Sequence, residues 1–237
     1  GGSPVNNLVF TNNMSYRTSD NRVNTVRLGY NWGPNNPSAT VTGNYFGGQL
    51  LLQHWNSITF QHNAIIDPYG AAVTLEQNTG QSLTTGSWDQ NTYVKTTSSY
   101  PVSPFQLALN GNTTTYLLSA WQSLTGFDKS STVSSAMPSG TKVVVEPNTY
   151  EAGRANVLIY NWAHQGAVSV DMSNVLRIGD SYEVRNAQNF YGAAVASGTY
   201  GGGAISIPIT SITPPAPITG KSPWTTGSEF NAYVVIK

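Results

Sequence analysis

His54, His62, Arg27 and Lys95 are the groups in the first half of the chain that could remove a proton and stabilise the charge left behind. That is the chemistry of a polysaccharide lyase, in which a base takes the proton beside a uronate carboxylate and a cation holds the enolate-like intermediate. Their other reading is as solvent-facing polar residues on a wall of strands. Asp67, Glu76 and Asp89 are the carboxyl groups a glycoside hydrolase would need as a pair, about 5 Å apart for retention or roughly 6.5–9.5 Å for inversion. No motif selects two of them, and Asp67 before Pro68 also reads as a turn residue. His54, His62, Asp67 and Glu76 are therefore the weak catalytic candidates, and whether the chain is an enzyme is left open. Cysteine is absent, so no thiolate chemistry or disulfide is available. No G-x-S-x-G elbow, H-E-x-x-H pair or EF-hand loop occurs, and no metal or cofactor is expected. Gly201-Gly202-Gly203 precedes a strand-like run rather than a helix and reads as a hairpin turn.

Charge sets the class of partner. Only 9% of the 237 residues are charged, and Lys plus Arg balance Asp plus Glu at 11 each. A chain without net charge has no field to draw in nucleic acid, whose binding rests on phosphate neutralisation. Hydroxyl and amide side chains supply the polarity instead, together with 11% aromatics. Such a surface suits a polysaccharide or cell-surface glycan, with Trp32, Trp55 and Tyr69 as the stacking candidates; the same rings also serve as core. The apolar run Val157–Tyr160 is far too short to span a membrane. Gly1-Gly2-Ser3-Pro4 has no charged or apolar leader pattern and reads as a mature or cleaved start, which suits a fragment of a larger protein.

The elements that must position these groups are strands. Period-2 alternation recurs, for example at Ser57–Gln61, Asn156–Tyr160 and Ala204–Pro208, and helical spacing is confined to Ser119–Thr125. In the first half an apolar residue is followed three positions later by Asn, at Phe10–Asn13, Val41–Asn44, Phe60–Asn63 and Trp88–Asn91. The Asn residues lie 31, 19 and 28 positions apart, spacings suited to turns of a β-solenoid with variable loops. Asn tolerates a left-handed corner, and its amide can bond the Asn above and below. Asn13, Asn44, Asn63 and Asn91 are thus expected to form a ladder. The signature stops near the Ser-rich stretch 130–140. Some seven strand candidates follow, in the pattern of a β-sandwich, while Pro214, Pro215 and Pro217 bar a central strand there.

Particular residues carry a family likeness. Trp88-Asp89-Gln90-Asn91-Thr92-Tyr93, then Trp121-Gln122-Ser123-Leu124-Thr125-Gly126-Phe127-Asp128, resembles the end of bacterial right-handed parallel β-helix proteins of the pectin-lyase-like kind. Gly153–Val157, Tyr160-Asn161-Trp162, Gly179–Gly192 and Ser197–Pro208 resemble the β-sandwich appended to such proteins. The resemblance implies an all-β chain, with a right-handed parallel β-helix of four to five coils over 1–135 and a β-sandwich over 136–237. It also implies a secreted or cell-surface setting and an association with carbohydrate. It implies no activity, since one fold carries many functions. Three readings stay open: a non-catalytic carbohydrate-associated module, a lyase or hydrolase, and a structural protein self-associating through an uncapped first coil.

Overall fold

The computed structural model describes residues 3–17, 24–29, 34–67, 69–96, 103–209, 211–221 and 227–237. Two compact units divide the chain, Gly1–Met137 and Pro138–Lys237.

Short strands build the first unit in three stacks. One sheet is β1 (Leu8–Thr11), β4 (Asn36–Thr42), β7 (Trp55–Gln61) and β10 (Thr85–Asp89), all parallel. The second is β2 (Met14–Tyr16), β5 (Tyr45–Gly47), β8 (Ala64–Ile66), β11 (Thr92–Val94) and β14 (Thr132–Ser134), also parallel. A third holds β3 (Val26–Leu28), β6 (Leu50–Gln53), β9 (Val73–Glu76), β12 (Phe105–Leu109) and β13 (Asn112–Tyr116).

Alternation decides which side chains enter the core. In the first sheet Phe10, Val41, Phe60 and Trp88 are in register and face inward, and the residues between them face out. Phe46, Ile65 and Tyr93 come from the second sheet, and Leu50, Leu52, Leu75 and Phe105 from the third. At the end of the stack, helix α1 (Leu118–Thr125) places the fully buried Trp121 flat on Phe105, with centroids 5.0 Å apart, while Phe127 stacks on Trp88 at 4.9 Å. Aromatic pairs of this kind add about 0.5–1.5 kcal/mol beyond area burial.

The expected right-handed parallel β-helix followed by a β-sandwich is corrected here. The described strands fall into five separate sheets, and no closed solenoid runs through them. Two sheets are parallel, one is mixed, and two are antiparallel. A specific turn makes the third sheet mixed: Asn110 and Gly111 both have positive φ, 53° and 77°, and reverse the chain so that β13 pairs antiparallel with β12. Two positive-φ residues are the requirement of a tight hairpin turn, and Asn-Gly is the pair that meets it most readily.

The second unit is antiparallel throughout. β15 (Thr141–Pro147), β16 (Ala155–Asn161), β21 (Phe230–Ile236), β18 (Ser181–Asn186) and β19 (Ala196–Thr199) form one sheet in that order. β17 (Ala167–Asp171) and β20 (Ala204–Pro208) form a separate two-stranded ribbon. Val157, Ile159, Val184 and Val235 pack with Val168, Val170, Ile205 and Ile207 in its core. The Pro-rich segment 213–220 lies outside every strand.

Candidate functional site

The asparagines come together inside the first unit. Asn44 Oδ1 accepts from Asn13 N and Nδ2 at 2.8 and 3.2 Å, Asn63 Oδ1 from Asn44 at 3.0 and 2.9 Å, and Asn91 Oδ1 from Asn63 at 2.9 and 3.1 Å. Each amide also donates to a strand carbonyl, Asn44 to Phe10, Asn63 to Val41 and Asn91 to Phe60. Asp128 and Ser131 complete the column. Asn91 N donates to Ser131 Oγ, and Asn91 Nδ2, Tyr93 OH and Ser131 Oγ all donate to Asp128 Oδ1, with Trp121 Nε1 on Oδ2. Burial and the neighbouring Asp128 carboxylate push the Tyr93 hydroxyl well above its ordinary pKa. The left-handed corner is one residue earlier than expected: Asn12, Gly43, His62 and Gln90 carry the positive φ, not the ladder residues Asn13, Asn44, Asn63 and Asn91.

That corner accounts for the histidines. His62 has φ 55° and is exposed on the corner between the first and second sheets. His54 has φ 58° at the corner before β7, where it is buried. His, like Asn, is enriched among the non-glycine residues that take this conformation. His54 Nε2 lies 3.5 Å from Glu76 Oε1, Gln53 Nε2 donates to Glu76 Oε2 at 2.8 Å, and Arg27 Nε donates to Gln53 Oε1. The base and cation of the lyase scheme thus share the outer side of the third sheet, but His54 is only 5% exposed and cannot meet a polymer.

Asp67 stands elsewhere, at the corner after β8. It accepts from Tyr69 N and Gly70 N at 2.9 and 2.8 Å. Burial raises its carboxyl above the ordinary value, against the pull of those amides and of Lys95. The same desolvation lowers Lys95, opposed by Asp67. Asp89 lies on the first sheet, held down by the amide of Ser130, which donates to Oδ1 at 2.6 Å. Asp67, Glu76 and Asp89 therefore occupy a corner and two different sheets. Among the described residues no three His, Asp or Glu side chains cluster to hold a metal.

The stacking candidates separate. Trp55 is corrected to a core residue: it is fully buried, and its Nε1 donates to Leu28 O at 3.0 Å. Tyr69 is 37% exposed. Trp32 lies outside the described residues. No helix among the described residues is long and apolar enough to cross a membrane.

What remains is the outward face of the first sheet, overlooked when attention is on the apolar-to-Asn spacing. Register sets Ser38, Ser57 and Thr85 in one row across the strands, Thr40, Thr59 and Ser87 in a second, and Thr42, Gln61 and Asp89 in a third. The sequence signal is Ser38-x-Thr40-x-Thr42, repeated as Ser57-x-Thr59-x-Gln61 and Thr85-x-Ser87-x-Asp89. Neighbouring strands lie about 4.8 Å apart and same-face residues about 6.6 Å apart along a strand, so the rows form a regular lattice of small polar groups. Some members bond one another or the backbone: Gln61 Nε2 donates to Ser87 Oγ, and Thr85 Oγ1 to Asn56 O. The hydroxyls of Thr40, Thr42, Ser57 and Thr59 are half-buried, and no protein group among the described residues satisfies them.

No family model, curated protein or solved structure matches this chain.

Proposed function

We propose that this chain is a non-catalytic extracellular module that holds polysaccharide on the hydroxyl lattice of its first sheet. The observation that carries the reading is the set of four hydroxyls, Thr40, Thr42, Ser57 and Thr59, that no described residue satisfies, on the two central strands of the sheet. Each can donate and accept, as sugar hydroxyls do, and the fixed spacing lets several bonds form at once with little loss of side-chain freedom. The scarcity of charge favours an uncharged surface over a polyanion. The scattered carboxylates and the buried His54 favour binding over cleavage. Retention on insoluble polysaccharides, without release of reducing ends or a rise in absorbance, tests the reading. Failure to bind any of a neutral and acidic panel removes it.

A second reading has one feature in its favour. β1, β2 and β3 each leave one side unpaired among the described residues, which suits strand addition by a second copy. Sedimentation over a wide concentration range that shows a single monomer sinks it.

A further inference from the structure

The three rows on the outward face of the first sheet differ in chemistry. Carried on to β1 by register, the middle row reads Val9, Thr40, Thr59 and Ser87. Val9, Thr40 and Thr59 are β-branched and present methyl groups, and Val9 is 67% exposed. The rows on either side are polar throughout. One holds Ser38, Ser57 and Thr85, and Ser38 Oγ donates to Asn7 Oδ1 at 2.8 Å. The other holds Thr11, Thr42, Gln61 and Asp89. The face is therefore a methyl-bearing stripe between two polar borders, and the stripe crosses the strands instead of following one.

A pyranose with all its substituents equatorial has the matching distribution. Its axial C–H bonds make both ring faces apolar, and its hydroxyls project from the rim. Linked through equatorial oxygens, such sugars form an extended ribbon whose advance per sugar is close to the strand spacing of about 4.8 Å. Laid along one strand, the ribbon would meet side chains every ~6.6 Å, a step it does not share. Laid along the middle row, each sugar meets one strand. The hydroxyls of Thr42 and Ser57 then face opposite rims, while Thr40 and Thr59 each give a methyl to the ring face and a hydroxyl to the nearest sugar oxygen. An axial linkage bends the chain off the row, and an axial hydroxyl sets a polar group on the methyls.

We infer that this face selects an extended, uncharged polysaccharide of equatorially linked, all-equatorial pyranoses, lying across the strands along Val9, Thr40, Thr59 and Ser87 with one sugar per strand. The inference rests on the reading of this face as polysaccharide-binding and adds to it the stereochemistry and direction of the chain.

Calorimetric titration of the full chain with gluco-oligosaccharides of either linkage tests it, because the sugar is the same and only the linkage differs. Cellohexaose is expected to bind at least about tenfold more tightly than maltohexaose, the equivalent of about 1.4 kcal/mol. Affinity should rise from the disaccharide to the tetrasaccharide and then level off, since four strands carry the row. Val9→Ser touches none of the four hydroxyls and is expected to weaken cellohexaose about threefold through lost apolar contact, with an unchanged melting temperature because the residue is exposed. Equal binding of the two hexaoses, levelling at the disaccharide, or parent-like binding by Val9→Ser overturns the inference and leaves the polysaccharide reading standing. Retention on insoluble polymer without any oligosaccharide binding overturns the inference as well. Absence of both retention and oligosaccharide binding removes the reading and the inference together.

Discussion

Two sets of polar side chains run across the same parallel strands of the first unit, and they are treated in opposite ways. The asparagines from Asn13 to Asn91 lie at the edge of the core, and each bonds the next until Asp128 and Ser131 take up the last donors. The hydroxyls of Thr40, Thr42, Ser57 and Thr59 sit on the outward face of neighbouring positions, and no described residue bonds them. A buried polar group without a partner costs about 1–3 kcal/mol, so the inner column must be closed. An outward hydroxyl is satisfied by water at no cost and can exchange that water for a ligand. The difference separates the groups that hold the fold from those free to act on something else.

Breaking the inner column should have the largest effect. Asn63→Ala removes the acceptor of both Asn44 donors and the amide that donates to the Val41 carbonyl, while Asn91 Oδ1 keeps only the backbone N–H of residue 63. A loss of about 3–5 kcal/mol is expected from several buried groups left unpaired, read as the shift of a urea midpoint. Asp128→Ala should follow at about 2–4 kcal/mol, because Tyr93, Trp121, Asn91 and Ser131 lose one shared acceptor. Asp128→Asn keeps the shape and part of the acceptor set, and should cost less than half as much. An alanine variant that melts with the parent at either position would remove the distinction.

A smaller effect appears with pH. Burial lifts the folded Asp67 carboxyl above its ordinary value of 3.8, so the folded state holds that proton more tightly than the unfolded chain. The contribution is present below 3.8 and is lost as pH rises through the raised value. Asp67→Asn should flatten that fall, seen as a shallower decline of the urea midpoint above pH 4. A steeper decline in the variant would show that the bonds to Tyr69 and Gly70, rather than burial, govern the group.

Much of this was legible in the residues, for physical reasons that differ from place to place. The apolar residue three positions before each Asn does face the core, because strand alternation fixes sides once one side is buried. The places of His54 in a turn with Trp55 and of His62 facing outward beside the ladder were legible, since each stands directly before a strand or a ladder Asn; the burial of His54 was not. Trp55 gave no sign of burial, because a tryptophan beside polar neighbours fits either side of a wall. The mixed third sheet had a clear signal, the Asn110-Gly111 pair between two alternating runs. The lattice of hydroxyls was present as a repeated Ser/Thr alternation, but only strand register shows that its rows coincide.

The most direct test replaces hydroxyl by methyl at the centre of the lattice, in the double variant Thr40→Val and Thr59→Val. Shape is retained and no internal bond is lost, so stability should stay within about 0.5 kcal/mol of the parent, as for surface changes generally. Retention on insoluble polysaccharide should fall at least about tenfold, the equivalent of about 1.4 kcal/mol from two lost hydrogen bonds. Undiminished retention by a stable double variant would contradict the division between the closed inner column and the open outer face.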